Sequence, residues 1–143
     1  MLLKGKKGLI IGLSNNMGIA WGITQKCAEN GAELCIMYQN EAMKKRALPL
    51  AEEVGCNFTV QCDFSNKEEV ANLSKEIKEK WGEIDFIVHS MAFAPKEDLH
   101  GDYNKISQEG FDLAMNISAY SLIKFTSDLA PLMKNGGSVV TLT

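Results

Sequence analysis

Lys7-Gly-Leu-Ile-Ile-Gly-Leu-Ser-Asn-Asn-Met-Gly-Ile-Ala-Trp21 is the stretch whose reading decides the fold. Leu9-Ile10-Ile11 is a short apolar run without alternation, the pattern of a strand buried on both faces. Gly12 ends that run. A polar loop follows, and an apolar-periodic helix starts at Gly18 and Ile19. Strand, glycine-bearing loop and helix N-terminus together form an anion site. The first N–H groups of a helix lack intrahelical acceptors, and the helix dipole adds about half a positive charge there. The stretch suits a nucleotide's phosphates resting over Gly12 and Gly18. It suits equally an ordinary strand-to-helix turn that needs two glycines. The full three-glycine dinucleotide fingerprint is not present, so the surrounding chain must decide.

Working outward, Ile19, Ile23 and Cys27, with Ala20 and Ala28 beside them, predict one apolar face of the first helix, closed at Gly31. Glu33-Leu-Cys-Ile-Met-Tyr38 predicts a second buried strand. A helix over about 41–54 places Met43, Ala47, Leu50 and Val54 inward and ends at Gly55; Pro49 is set to kink or split it. Residues 58–63 read as the third strand. Ser65 and Glu68 form a capping-box pair for a helix carrying Val70, Leu73 and Ile77 on one face and ending at Gly82. Residues 84–89 read as the fourth strand. Residues 91–107 have no period, and a loop of that length in a compact domain is more often functional than idle. A last helix over 108–134 carries Phe111, Met115, Leu122, Phe125 and Leu129 on one face, with Leu113, Ile117, Ala119 and Tyr120 on others. A helix apolar on more than one side needs a second neighbour, either another helix or another subunit. Gly136 and Gly137 then lead into a fifth strand, 137–143.

Strands alternating with helices, joined by connections too long for hairpins, indicate a parallel α/β sheet. The prediction is a doubly wound Rossmann-type domain over 1–143, strand order 3-2-1-4-5, incomplete at its C-terminus. Its ligand should lie beyond the C-terminal strand ends. That rule selects residues 12–18, Tyr38-Gln39, Asp63-Phe64 and residues 90–95.

Composition narrows the field of functions. The chain has 143 residues, 45% hydrophobic and 23% charged, the balance of a globular domain with a real core. A net charge of −3 gives no broad basic footprint for nucleic acid. No apolar run reaches membrane-spanning length, and the N-terminus lacks the apolar core of a secretion signal. Cys27, Cys35, Cys56 and Cys62 have no C-x-x-C pairing and read as buried thiols of a reducing, cytoplasmic compartment. His89 and His100 have no ligand-like spacing to them, so no metal site is expected.

The selected stretches carry a specific resemblance. Gly12-Leu-Ser-Asn-Asn-Met-Gly-Ile-Ala-Trp-Gly22, Tyr38-Gln39-Asn40, Gln61-Cys-Asp63 and His89-Ser-Met-Ala-Phe-Ala-Pro95 resemble the NADH-dependent enoyl-acyl-carrier-protein reductases of bacterial fatty-acid synthesis. These are members of the short-chain dehydrogenase/reductase superfamily. Gly101-Asp-Tyr103 and Ile117-Ser-Ala-Tyr-Ser121 agree, and the likeness runs from Leu3 to Thr143. It implies that Gly12, Gly18 and Ile19 hold the pyrophosphate and nearby ribose. Gln39 would lie beside the adenosine. Asp63 would accept from the adenine amine with the Phe64 backbone adjacent, and Asp63 could also cap the following turn. Ser90 and Met91 would pass the nicotinamide ribose, and Phe93 and Ala94 would face the acyl chain. Gln39 stands where a typical NAD-binding fold has an acidic residue. With no Arg beside it to welcome a 2′-phosphate, NADH is expected over NADPH. Lys44, Lys45 and Arg46 read as a solvated helix face. His89 is expected at a strand end with its ring satisfied and no proton-transfer role. Asn116 falls where the superfamily often has a helix Asn near the active site.

Two departures stand out. Gly18 replaces the Ser common in the family, which removes a hydroxyl able to bond a phosphate oxygen. The family's catalytic Tyr and Lys, spaced Tyr-x6-Lys, follow the fifth strand, and Tyr38, Tyr103 and Tyr120 match none of the family's active-site tyrosines. No catalytic residue is therefore assigned within 1–143. The resemblance implies an NADH-dependent reduction of the double bond of a trans-2-enoyl thioester on acyl-carrier protein, by a cytoplasmic homotetramer. The alternatives are a non-catalytic nucleotide-binding module, or another reductase of the superfamily such as a ketoacyl reductase. The latter commonly carries an Asn-Asn-Ala-Gly-like stretch where this chain has His89-Ser-Met-Ala. An isolated 143-residue piece is expected to behave poorly, because its last strand would leave an open edge.

Overall fold

The structure, a computed structural model, describes residues 1–142. Thr143, the end of the expected fifth strand, lies outside the described residues. In chain order the elements are β1 (Lys7–Ile11), α1 (Ile19–Glu29), β2 (Glu33–Tyr38), α2 (Glu41–Glu53), β3 (Phe58–Gln61), α3 (Lys67–Trp81), β4 (Phe86–His89), α4 (Gln108–Met115), α5 (Ser121–Leu129) and β5 (Ser138–Thr141). The five strands are parallel in the order β3-β2-β1-β4-β5, the predicted topology.

Side chains on a strand alternate between faces, and each face of this sheet has its own core. Leu9 and Ile11 of β1 point to the side of α3 and α5, where Leu73, Ile77, Phe125 and Leu129 are buried. Ile10 points to the opposite side, among Trp21, Ala20, Ile36, Ala51 and Val88. Hence the first strand reads as a continuous apolar run. Register partners Leu9↔Cys35 and Ile10↔Ile36 on one side, and Leu9↔Ile87 on the other, place β1 centrally. The phosphate-loop candidate therefore leaves from the middle of the sheet.

Several local expectations are corrected. The sheet-facing residues of α1 are Ala20, Trp21 and Thr24, whereas Ile19 is 70% exposed and Ile23 and Cys27 are half-buried. The small Ala20 lets the helix approach closely, and the Thr24 hydroxyl donates to the Ala20 carbonyl at 2.7 Å, so a polar residue sits on the buried face without cost. The Ile19/Ile23/Cys27 stripe instead borders a groove with Leu2 and Leu3. α2 runs unbroken through Pro49, because Pro49 lies on the exposed side, where a freed carbonyl can meet water. The cap of α3 is Asn66, one residue beyond the predicted Ser65. Asn66 Oδ1 accepts from the N–H groups of Glu68 and Glu69 at 3.0 and 3.3 Å, and Glu69, not Glu68, closes the box by accepting from Asn66 Nδ2 at 3.0 Å. Ser65 lies one residue before that cap, and its N–H and hydroxyl both turn back to donate to Asp63 Oδ1. Val70, Leu73 and Ile77 are the buried face of α3, as predicted.

The last helix departs most from expectation. It is not one α-helix over 108–134: a π turn, Asn116–Tyr120, separates α4 from α5, and a 3-10 turn, Ala130–Leu132, ends the run. A π turn holds more residues than an α turn, so it rotates the next segment of helix about the axis. Phe111 and Met115 thus lose phase with Phe125 and Leu129 and stand about half exposed. Leu113, Tyr120 and Ile123 are exposed too, so much of this helix's apolar surface has no partner among the described residues.

Candidate functional site

The C-terminal ends of β1, β2 and β4 enclose a cavity of about 260 Å³ lined by Gly12, Ser14, Tyr38, Gln39, Ser90 and Met91, among others. Four of the ten predicted site residues, from three separate stretches, meet here: Gly12, Gln39, Ser90 and Met91. Gly12 has φ +93°, and a Cβ on it would lie 2.0 Å from the Ser90 carbonyl oxygen. Two exiting strands pass so closely that only glycine fits, and the Ser90 N–H donates to the Ile11 carbonyl at 2.9 Å across that contact. Gly18 is different. It is the N-cap of α1 with φ −80° and ψ 154°, and the atoms nearest an added Cβ are 3.8 Å away. One glycine of the loop is compulsory and the other is optional.

Gly18 and Ile19 lie at the α1 N-terminus, off the cavity wall. This terminus is built unlike the others. α2, α3 and α4 are each capped by a side chain, Asn40, Asn66 and Ser107, and each carries Glu in its first turn. α1 has neither a side-chain cap nor an acidic residue in its first turn. Its leading N–H groups are left open and no carboxylate opposes an anion. The loop before it is shaped by Asn15, whose Oδ1 accepts the Met17 N–H at 2.8 Å. Sequence reasoning missed that role, although an Asn whose side chain can accept the N–H two residues on is a usable turn signal.

Asp63 and Phe64 follow β3 and do not line the cavity. Asp63 does cap the turn after its strand: Oδ1 accepts from the Ser65 N–H at 2.9 Å and from its hydroxyl at 2.6 Å. The Phe64 ring packs on Phe125 and Tyr120, with centroids 5.4 and 6.4 Å apart. Phe93 and Ala94 also lie outside the cavity. The Phe93 side chain is about half exposed, and its backbone is held by Ser118, a residue the sequence reading did not single out for this. Asn116 is exposed at the start of the π turn.

His89 is 1% exposed, and both ring nitrogens are engaged. Nε2 lies 2.7 Å from Ser121 Oγ, and Nδ1 lies 3.1 Å from Thr141 Oγ1. The Ser121 hydroxyl donates its one proton to the Ile117 carbonyl at 2.6 Å, so it must accept from His89. That assigns the proton of the neutral ring to Nε2 and makes Nδ1 the acceptor from Thr141. Burial, opposed by a backbone hydrogen bond, holds the imidazole below its usual range and favours this neutral form. The ring satisfies a strand end, as predicted.

All four thiols are free, and Cys35, Cys56 and Cys62 are buried. Among the described residues no group of three His, Cys, Asp or Glu side chains could hold a metal ion, and no helix is long and apolar enough to cross a membrane.

Comparison with known proteins agrees with the fold. The sequence model described as Enoyl-(Acyl carrier protein) reductase matches residues 12–143. The enoyl-[acyl-carrier-protein] reductase [NADH] FabI of Rickettsia prowazekii is 51% identical over 142 residues, covering 99% of this chain and 54% of that protein. The corresponding Aquifex aeolicus enzyme is 44% identical over 143 residues, 53% of its length. Among solved structures, the Anaplasma phagocytophilum reductase in complex with NAD superposes with TM-score 0.96 at 46% identity, covering 100% of this chain and 55% of that one. The chain thus spans about half the length of the curated relatives it matches. Since the family model matches residues 12–143 and these relatives align over 99% of the chain, the chain belongs to the enoyl-(acyl carrier protein) reductase family.

Proposed function

We propose that this chain is the cofactor-binding part of an NADH-dependent reductase of trans-2-enoyl thioesters carried on acyl-carrier protein. The observation that carries the reading is the cavity at the sheet's C-terminal edge. It joins Gly12, Gln39, Ser90 and Met91 beside a helix N-terminus free of cap and acid. These residues fit a dinucleotide. The N–H groups of Ile19 and Ala20 would take the pyrophosphate, and Gly12 lets the loop pass under it. The Gln39 amide would bond the adenosine ribose. Asp63 holds its turn through Oδ1, and its Oδ2 would take the adenine amine while the Phe64 backbone lies alongside. Ser90 and Met91 would flank the nicotinamide ribose, with Phe93 and Ala94 toward the acyl chain.

The chemistry a bound NADH supplies is hydride for the β-carbon of the enoyl thioester. This chain's residues bind and orient the reactants. No residue in 1–143 fits the hydroxyl donor to the resulting enolate or the Lys that grips the ribose. The proposal places both in the remaining length that the relatives possess. It also includes a cytoplasmic homotetramer, supported by the exposed apolar side chains Phe111, Leu113, Met115 and Ile123. A single monomeric species of the complete protein in ultracentrifugation would contradict the tetramer.

Fluorescence titration with NADH and NADPH, followed by NADH oxidation with a crotonyl thioester by the complete gene product, tests the reading. Tighter NADH binding together with turnover supports it. Binding without turnover points to a nucleotide-binding module instead, and failure to bind NADH sinks both.

A further inference from the structure

We propose that Ser118 and Asp98 are positioning residues that pin the 91–107 loop, and with it the acyl pocket, to one helical rod. This rests on the assignment of Phe93 and Ala94 to that pocket. The loop is long and mostly exposed, with two short 3-10 turns, Lys96–Leu99 and Tyr103–Lys105. Little apolar burial is available to fix it, so polar contacts must.

Two such contacts flank Ala94-Pro95. On one side, a single hydroxyl serves both backbone groups of one residue. The Phe93 N–H donates to Ser118 Oγ at 3.0 Å, and Ser118 Oγ donates to the Phe93 carbonyl at 3.2 Å. Ser118 lies within the π turn, which is itself fastened to β4 by buried Ser121 and His89. On the other side, Asp98 sits over the start of α4. Its Oδ1 accepts the Ser107 N–H and its Oδ2 the Ser107 hydroxyl, both at 3.1 Å, while Ser107 Oγ accepts the Gly110 N–H at 3.0 Å. Gly110 makes room for that carboxylate: a Cβ there would fall 1.7 Å from Asp98 Oδ2. Both anchors belong to the continuous rod of α4, the π turn and α5. The loop and the rod therefore move as one body, and the pocket segment is set by the rod while the dinucleotide cavity is set by the strand ends.

The test uses the complete protein with Ser118→Ala, Ser118→Thr and Gly110→Ala. Three quantities are read: NADH Kd, KM and kcat for a crotonyl thioester, and hydrogen exchange at the Phe93 amide. Ser118→Ala should speed Phe93 exchange and raise the thioester KM about two- to tenfold, the scale of one or two ordinary hydrogen bonds. NADH Kd and kcat should stay within about twofold. Ser118→Thr, which keeps the hydroxyl, should restore both. Gly110→Ala should give the same KM-selective loss by displacing Asp98. Unchanged exchange and KM in Ser118→Ala, or no rescue by Thr, overturns the proposal. Parallel losses of NADH affinity, kcat and melting temperature also overturn it, because they mark a merely structural role. If the wild type neither binds NADH nor turns over, the underlying functional reading fails, and the exchange measurement still decides whether Ser118 holds Phe93.

Discussion

Replacing Gly12 with Ala tests the geometry of the site most directly. The new Cβ would stand 2.0 Å from the Ser90 carbonyl oxygen and 2.5 Å from its carbon, and both are backbone atoms that no rotamer change can remove. The residue would also be held at φ +93°. A left-handed backbone costs an L-residue roughly 1–2 kcal/mol. Relieving the overlap means parting the ends of β1 and β4, which strains packing by about 1–3 kcal/mol. It also loosens the bond from the Ser90 N–H to the Ile11 carbonyl, worth about 1 kcal/mol. The total, about 3–6 kcal/mol, belongs to the severe class of substitutions. Because the same movement shifts Ser90 and Met91, NADH affinity should fall by at least about tenfold. Gly18→Ser is the contrasting control. Its backbone is ordinary and its surroundings are open, so stability should change by only a few tenths of a kcal/mol. The added hydroxyl should tighten NADH by less than about tenfold. Urea unfolding followed by circular dichroism and fluorescence titration with NADH read both variants. Gly12→Ala within about 1 kcal/mol of wild type with unchanged NADH affinity would refute the close-approach argument.

Burial sets two further outcomes. Desolvation depresses the His89 pKa, so as pH falls past the ordinary imidazole value the unfolded chain takes up a proton that the folded chain resists. The stability it contributes is complete above about pH 6.5 and declines as the pH drops toward the lower folded value. Urea midpoints between pH 7.5 and 5 should therefore fall, and His89→Gln should flatten that slope; an unchanged slope would show that another group is responsible. Burial, reinforced by Glu69 and Asp63, pushes the Cys62 thiol up to about 12, and burial raises Cys35 well above its usual value. Native protein at pH 8 should leave both unmodified by a thiol reagent that labels all four cysteines in urea; rapid native labelling at either would contradict the packing.

The part of the candidate site that lines the cavity was legible because its residues sit where a strand period ends. Gly12, Gln39 and Ser90 each follow an apolar run, and parallel strands bring such ends to one edge. Asp63 was placed correctly as a turn cap, yet its partner Ser65 was misread as the cap of α3. Both readings use the same hydroxyl, and only the folded chain shows which acceptor or donor it meets. Ser118 carried no signal, because its partner Phe93 is twenty-five residues away.

The sequence by itself determined the strand-helix alternation, the inward face of α3, the order 3-2-1-4-5 and the edge at which a ligand should bind. Those properties come from side-chain period and chain connectivity, which are local. Tertiary structure alone decided that Gly12 is compulsory and Gly18 is not, that α1 turns Ala20 and Trp21 to the sheet in place of Ile19 and Ile23, and that a π turn splits the last helix. Each depends on which distant atoms come into contact: the Ser90 carbonyl against Gly12, the sheet against α1, and His89 against Ser121. A single turn of helix or strand looks the same in sequence whatever is later packed against it.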